Sequence, residues 1–400
     1  MLAWKVLTFC TIALALLWQG RPAYALAYLL LLFFFAAPAL LAKNGERLQV
    51  SRGSRERYLF PGDEAEVVLQ VSNPTLFPFA WVSVQDSIPS NLLRGHRPVR
   101  PVLSLGPRRT REVRLPLVAR ERGVYRLGPL RVFVGDFFGI STCQYQSAEA
   151  ETVVVYPQVR SLPELALPSR LSFGSIKALQ RINPDPTRLA GARPYQMGDP
   201  LRAIHWPATA RTQQLQVKQF DHTVTVNCLL LLNFYQGDYQ VGKFFAATER
   251  AVTTAASLAA HIIQRGEACG LVANAVLSEY LPDQGGIVHG SGQIQLRPRQ
   301  GAQQLSELLA VLAGVQPQDH LDFFTLLEGS REYLKGASIL LWIVPVDTPK
   351  VLAAAGGFLR QGQRVFIFAV EKVLHRELLS RPASSPLQLF AVGPGGELEL

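Results

Sequence analysis

The sequence predicts a multi-domain fold: an N-terminal transmembrane helical hairpin, an immunoglobulin-like β-sandwich and a C-terminal doubly wound α/β domain. Three observations predict this fold class. An apolar run without charge lies near the N-terminus, short alternating strands follow it, and apolar strands alternate with helices in the second half. The predicted boundaries are residues 1–43 for two transmembrane helices, 44–160 for the sandwich, 161–220 for a connector and 221–400 for the α/β domain.

Two apolar runs predict the hairpin. Residues 23–42 carry no charge over 20 positions, and a helix of that length, at about 1.5 Å per residue, covers about 30 Å of hydrocarbon. Residues 6–18 form a shorter run, and residues 19–22 (QGRP) separate the two as a turn. A secretory signal peptide is the alternative, because Lys5, the first run and residues 23–25 (AYA) resemble its three regions.

Cations flanking the two runs predict the orientation of the hairpin. Arg21 alone lies in the turn, Lys5 precedes the first run, and five cations follow the second: Lys43, Arg47, Arg52, Arg55 and Arg57. Since Lys and Arg accumulate on cytoplasmic flanks, both ends are expected in the cytoplasm. The predicted localisation is therefore the inner (cytoplasmic) membrane, multi-pass, with cytoplasmic soluble domains and the lipid bilayer as a partner.

Charge and cysteine content limit the remaining functional classes. The formal charge is +10, and ten arginines lie between Arg94 and Arg126. These arginines either approach anionic headgroups or belong to ordinary solvated strands and loops. Nucleic acid is not predicted as a partner, because the chain has no helix-turn-helix pattern or zinc-finger spacing. The four cysteines have no CxxC spacing, which favours buried thiols in a reducing compartment.

The two soluble domains differ in their hydrophobic pattern. Residues 58–156 contain short strands separated by turn residues, as in an antiparallel sandwich; the candidates are residues 64–71, 80–84, 111–118, 123–126, 130–134 and 152–156. Residues 157–200 contain seven prolines, which exclude a long regular element. Beyond them, strands at 224–233, 268–276, 338–344 and 364–370 alternate with helices at 244–264, 302–313, 323–328 and 351–360. This alternation predicts a parallel sheet covered by helices.

The most distinctive segment, residues 191–220, joins the predicted domains. Asp199 followed by Pro200 predicts a helix start with the carboxylate as N-cap. Arg202, His205 and Trp206 then share one side of a short helix. We expect Asp199 to pair with an arginine and Trp206 to be buried where the two domains meet.

This segment resembles the bacterial family catalogued as "domain of unknown function 58". The resemblance is carried by Arg193, Tyr195, Gly198, Asp199, Arg202, Ile204, His205, Trp206, Ala210, Arg211, Leu215, Val217, Lys218 and Phe220. It extends to residues 122–129, to residues 136–139 and to the apolar N-terminal pair of segments. Pro207 and Phe137 depart from the usual pattern at their positions, where a basic residue and a proline are common.

The resemblance implies a von Willebrand factor A-like domain at the C-terminal end. It also implies association with a MoxR-type AAA+ ATPase and, in some cases, with a transglutaminase-like membrane protein. The adhesion site of such domains uses a carboxylate and two hydroxyls as hard oxygen ligands. This chain has Asn233, Tyr235 and Gly237 at those positions, so no metal and no cofactor is expected there.

Two functions follow from the sequence. The first is a membrane-anchored, non-catalytic scaffold or adaptor that binds the ATPase or its client through the A-like domain. The alternative is a membrane-bound hydrolase in which His205 acts as general base beside Asp199. The scaffold is preferred because no serine or cysteine nucleophile is evident near the motif. The candidate interaction residues are Arg193, Tyr195, Gly198, Asp199, Arg202, His205, Trp206, Arg211 and Lys218.

Overall fold

The computed structural model divides the chain into two compact units. The sandwich unit comprises Met1–Gln158 with Ser278–Asp283, and the α/β unit comprises Val159–Leu277 with Gln284–Leu400. The structure describes residues 10, 24 and 38–399 apart from 54–55, 94–99, 137–140, 149, 161–183, 223–225, 283–286, 291, 380–384 and 394–397. Part of the predicted motif at 136–139 therefore lies outside the described residues.

The sandwich unit consists of ten described strands in three small sheets. The strands are β1 (Gln49–Arg52), β2 (Glu56–Leu59), β3 (Glu64–Ser72), β4 (Phe79–Asp86), β5 (Val102–Leu105), β6 (Thr110–Val118), β7 (Gly123–Leu127), β8 (Leu130–Gly135), β9 (Thr142–Ser147) and β10 (Glu151–Val155). Their orders are β1-β3-β6, β2-β10-β7 and β5-β4-β8-β9. All described pairs are antiparallel except β2 with β10, which is parallel.

Alternation along each strand builds the core of the sandwich unit. Val67, Leu69 and Val71 on β3 are buried, as are Leu115 and Leu117 on β6. Successive side chains of a strand point to opposite faces, so every second residue enters the core. Each fully buried aliphatic side chain contributes about 1.5–3 kcal/mol relative to exposure.

The predicted transmembrane hairpin is wrong. In the described part of the chain, no helix is long and apolar enough to cross a membrane, which contradicts both the hairpin and the multi-pass inner-membrane localisation. The end of the predicted second span packs in the core of the sandwich unit. Residues 38–45 are helical, Leu41 is 1% exposed within the sandwich core, and the Tyr145 hydroxyl donates to the Ala42 carbonyl at 2.8 Å. Most of residues 1–37 lie outside the described residues.

The α/β unit contains the remaining described elements. Its strands are β11 (Pro184–Pro194), β12 (Gln216–His222), β13 (Asn227–Leu232), β14 (Ala268–Ala273), β15 (Val276–Leu277), β16 (Ile287–Gly290), β17 (Gln293–Arg299), β18 (Val315–Gln316), β19 (Ile339–Val346), β20 (Arg364–Lys372), β21 (Leu387–Val392) and β22 (Leu398–Glu399). Its helices are α1 (Trp206–Thr212), α2 (Phe244–Gln264), α3 (Ala302–Gly314), α4 (Phe323–Gly329), α5 (Arg331–Leu334) and α6 (Pro349–Leu359).

An eight-stranded sheet in the order β16-β17-β14-β13-β19-β20-β21-β22 forms the centre of this unit. The five strands from β14 to β21 are parallel, and the outer pairings are antiparallel. Leu230 of β13 lies between Leu271 and Leu341 of its neighbours, and all three are fully buried. The chain leaves β13 towards β14 on one side and reaches β19 on the other. Loops at the carboxyl ends of β13 and β19 therefore meet at a switch point, where such sheets bind ligands.

Candidate functional site

The signature module, residues 191–220, is built on the pairing of β11 with β12. Arg193 is opposite Val217, and the Tyr195 N–H donates to the Leu215 carbonyl at 2.8 Å. On the other side of Val217, Ile204 forms an isolated antiparallel bridge. Ile204 and Val217 are 5% and 4% exposed. A small apolar contact between Ile204 and Val217 therefore holds the module together.

Asp199 fastens the turn that leads out of β11. Its carboxylate accepts two hydrogen bonds from the Arg193 guanidinium, at 2.8 and 2.7 Å, and one from the Gln196 N–H at 2.9 Å. Hydrogen bonding by Arg193, followed by that of Gln196, lowers the pKa of Asp199. Gly198 has φ +108°, which only glycine adopts readily in such a turn. Asp199 therefore pairs with an arginine as expected, but it does not cap a helix.

The predicted single helix from Asp199 to Trp206 is wrong. Residues Leu201–Ala203 form one 3₁₀ turn without a side-chain cap, and Ile204 is extended. Helix α1 begins only at Trp206, where His205 is the N-cap and its Nδ1 accepts from the Ala208 N–H at 3.0 Å. The predicted helix does not form because Ile204 is extended and pairs with Val217, which interrupts the helical backbone.

The signature module exposes several large apolar side chains. Trp206 is 66% exposed, so the expectation that its indole is buried is wrong. Three others also face solvent: Met197 at 103%, Leu201 at 71% and Leu215 at 45%. Arg202, Arg211 and Lys218 are exposed in the same module. Aromatic, Met and Arg side chains in this combination are enriched at protein interfaces.

The contacts do not join Asp199 to His205. The Asp199 carboxylate is occupied by Arg193 and Gln196, and His205 Nδ1 is occupied by the backbone of α1. A general base needs a second group that orients its ring. Among the described hydrogen bonds no side chain does this for His205, so the contacts give no support to the hydrolase alternative.

The loop after β13 uses its polar atoms internally. Asn233 Oδ1 accepts from the Tyr235 N–H at 3.1 Å and from Asn274 Nδ2 at 3.0 Å, and Asn233 Nδ2 donates to Asp238 at 2.7 Å. These bonds close the loop over the end of β13. The side-chain oxygen of Asn233 already accepts two hydrogen bonds within the protein. Gly237 lies in the one-turn 3₁₀ helix Gln236–Asp238 of this loop. The absence of a metal at this loop stays a prediction.

A second polar region, at the carboxyl edge of β19 and β20, was missed by the sequence analysis. Asp347 follows β19 directly and is fully buried, and it contacts the ring of His375 with 3.1 Å between Oδ2 and Nδ1. The loop that carries His375 borders a crevice whose lining includes Lys372 and Arg376. The sequence does contain a signal for this region, namely charged residues at or directly after the ends of buried strands. The carboxyl ends of parallel strands meet at one edge of the sheet, so such residues come close together.

The sequence matches one family model and a protein of Bacillus subtilis. Residues 191–338 match the family described as "Protein of unknown function DUF58". The "Uncharacterized protein YeaD" of Bacillus subtilis (strain 168) is 24% identical over 295 residues, which cover 72% of this chain and 72% of that protein.

Two solved structures match this chain over about a quarter of its length. Native α2-macroglobulin from Escherichia coli, spanning domain MG7 to the C-terminus, gives a TM-score of 0.22 at 17% identity over 28% of this chain and 17% of that one. One chain of the complex between zinc 2-glycoprotein and prolactin inducible protein, from human seminal plasma, matches with a TM-score of 0.21 at 16% identity, covering 26% of this chain and 92% of the matched chain. Scores this low carry no argument about fold or function. Residues 191–338 are therefore similar to the DUF58 family, and the similarity to the Bacillus protein extends over 72% of this chain.

Proposed function

We propose that this protein is a non-catalytic scaffold or adaptor whose signature module binds a partner protein, a MoxR-type AAA+ ATPase or its client. The exposure of Trp206 is the observation that supports this proposal. An indole that is 66% exposed contributes little to the stability of its own unit, and tryptophan is the residue type most enriched among interface hot spots. The choice of an ATPase as partner follows from the family resemblance.

The rigidity of the module also favours a binding role. His205 and Thr209 tie helix α1 to β12, because the His205 N–H donates to the Gln216 carbonyl at 2.8 Å and the Gln216 N–H donates to Thr209 Oγ1 at 3.0 Å. The backbone of such a module needs little ordering when a partner binds. Exposed Arg202 and Arg211 add positive charge to the apolar residues, which suits an acidic surface on the partner.

Alanine substitutions in the full-length protein test the proposal. Trp206→Ala and Leu201→Ala are expected to weaken capture of the purified ATPase at least about tenfold, which is about 1.4 kcal/mol. Their free energies of unfolding are expected to change by less than about 0.5 kcal/mol, since both side chains are exposed. Binding is measured by biolayer interferometry with and without an ATP analogue.

A matched control comes from the sandwich unit. Leu76 is 72% exposed, close to the 71% of Leu201, so Leu76→Ala removes the same side chain at a similar exposure. We expect Leu76→Ala to bind the ATPase as the parent does. Equal binding by the parent, Trp206→Ala and Leu201→Ala would exclude the signature module as the contact surface.

A further inference from the structure

A crevice of about 810 Å³ lies at the carboxyl edge of the parallel sheet within the α/β unit. The first turns of α2, the end of β20 with its following loop, and the end of β21 form its walls. Its volume falls in the range of about 300–1,000 Å³ that is typical of small-molecule sites. Its place at the carboxyl ends of parallel strands is where open α/β sheets bind ligands.

Four cations and one carboxylate, Glu371, line the described part of this crevice, so positive charge predominates. Lys243 precedes α2, Arg250 lies on α2, Lys372 ends β20, and Arg376 lies in the loop after β20. Glu371 uses both oxygens to accept the Gln240 N–H, at 3.2 and 3.3 Å. Among the described residues, none of the four cations forms an ion pair with a carboxylate. The crevice therefore concentrates positive charge that an anion would neutralise.

Helix α2 adds to the positive potential of this site. Its 21 residues begin at Phe244, and Lys243 at the N-cap position makes no side-chain cap hydrogen bond. The first N–H groups of a helix have no partner within the helix, and the dipole places partial positive charge there. Ala246, in the first turn of α2, is one of the crevice-lining residues. The helix end and the side-chain cations thus favour the same kind of ligand.

Buried Asp347 holds the loop that carries the crevice cations. It accepts hydrogen bonds from the backbone N–H groups of Leu374 at 2.5 Å and His375 at 2.9 Å, and it contacts the His375 ring. Lys372 and Arg376 lie on either side of these anchored residues. The loop is therefore fixed before any ligand arrives, which reduces the entropy that binding would cost.

We propose that the crevice binds the polyphosphate group of a small molecule. Several cations from separate elements suit a group with several negative charges, and the guanidinium of an arginine matches phosphate oxygens in a two-pronged geometry. Ala369, Leu379 and Val392 supply an apolar part of the wall, where an organic moiety attached to the phosphates would lie. This binding does not require the partner protein proposed above.

Calorimetric titration of the full-length protein with inorganic pyrophosphate tests this site. The buffer contains a chelator, so that metal ions do not mediate binding. One pyrophosphate is expected to bind per chain, with an affinity that falls as salt increases. Arg376→Gln and Lys243→Gln are each expected to weaken binding at least tenfold, and thermal melts show whether each variant is folded.

Arg331→Gln is the matched control, because Arg331 is exposed on α5 and does not line the crevice. It is expected to bind pyrophosphate as the parent does. Absence of saturable pyrophosphate binding, or equal binding by the folded Arg376→Gln variant, would overturn the proposal. A parallel titration with ATP distinguishes two sources of the phosphate group. Tighter binding of ATP than of pyrophosphate assigns the crevice to a nucleotide, and weaker binding assigns it to an inorganic or smaller phosphate compound.

Discussion

His205 caps helix α1, and this contact separates a structural role from a chemical one. His205→Ala removes the acceptor of the Ala208 N–H and is expected to lower the free energy of unfolding by about 1 kcal/mol. His205→Ser keeps a capping oxygen, so it should restore most of that loss. Urea titration measures both variants. A His205→Ser protein as stable as the parent, and still able to bind the partner, but inactive in a complementation assay would favour a chemical role for the imidazole.

Asp199 makes the stability of the signature module dependent on pH. Because Arg193 lowers its pKa below the usual 3.8, the carboxylate contributes stability above that value and loses it as the pH falls through the lower folded pKa. The stability difference between the parent and Asp199→Asn is therefore expected to be largest near neutral pH and to shrink in acid. Asp319→Asn, at a side chain that is 67% exposed, is the control. A difference that does not vary with pH would contradict this assignment.

At the scale of elements, buried charges join the strands of the sandwich unit. Arg52 on β1 lies 2.7 Å from Asp86 on β4 and 3.6 Å from Glu151 on β10, and all three side chains are at most 3% exposed. Burial raises the pKa of Asp86, although Arg52 opposes this shift. Arg52→Ala leaves Asp86 in the interior without its arginine and Glu151 with Arg57 alone, and it is expected to cost about 3–5 kcal/mol in unfolding free energy.

An exposed ion pair in the same unit provides the comparison for Arg52. Arg114 lies 4.0 Å from Glu66, with side chains 66% and 58% exposed. Solvent and salt screen such pairs, so Arg114→Ala is expected to cost about 0–1 kcal/mol. Chemical denaturation of both variants tests the contrast. Similar losses for the two would show that the buried charges contribute no more than a surface pair.

Substitution by alanine is expected to have opposite effects on stability at two glycines of the α/β unit. A Cβ on Gly270 of β14 would lie 2.6 Å from the Leu296 carbonyl oxygen and 2.7 Å from the Pro298 nitrogen, so Gly270→Ala must displace β17. We expect a clear loss of stability. A Cβ on Gly356 of α6 meets nothing within 4 Å, so Gly356→Ala is expected to add about 0.5–1 kcal/mol through helix propensity. Thermal melts show whether each variant is more or less stable than the parent. Stabilisation by Gly270→Ala would contradict the close approach of β17 to Gly270.

At the scale of the whole molecule, each unit has its own hydrophobic core. Units with separate cores can unfold separately, so calorimetry is expected to show two transitions. Arg52→Ala should lower only the transition of the sandwich unit, and Gly270→Ala only that of the α/β unit. A single transition that both variants shift equally would show that the chain unfolds as one cooperative body.

Local pattern accounts for the elements that the sequence analysis found. Strand β13 falls within the predicted run 224–233, and helix α2 has the predicted bounds 244–264. Continuous apolar runs and helical periodicity depend on residues that are close in sequence. They therefore predict these elements without knowledge of the tertiary structure. The short strands β1, β5 and β9 and the break at Ile204 were missed because pairing with distant residues decides them. At the signature module the residue types were found, but their contacts were only partly predicted.

The sequence by itself determined the resemblance of residues 191–338 to the DUF58 family, the strand-rich first half, the alternating second half and the segment in which the distinctive polar residues cluster. Only the tertiary structure decided the order of the sheets, the burial of Leu41 in the sandwich core, the exposure of Trp206 and the grouping of Lys243 with Arg376 around one crevice. The reason is that hydrophobicity and turn propensity act between neighbours along the chain. Burial and the meeting of charges depend on which distant segments pack together, and single residues do not encode that choice.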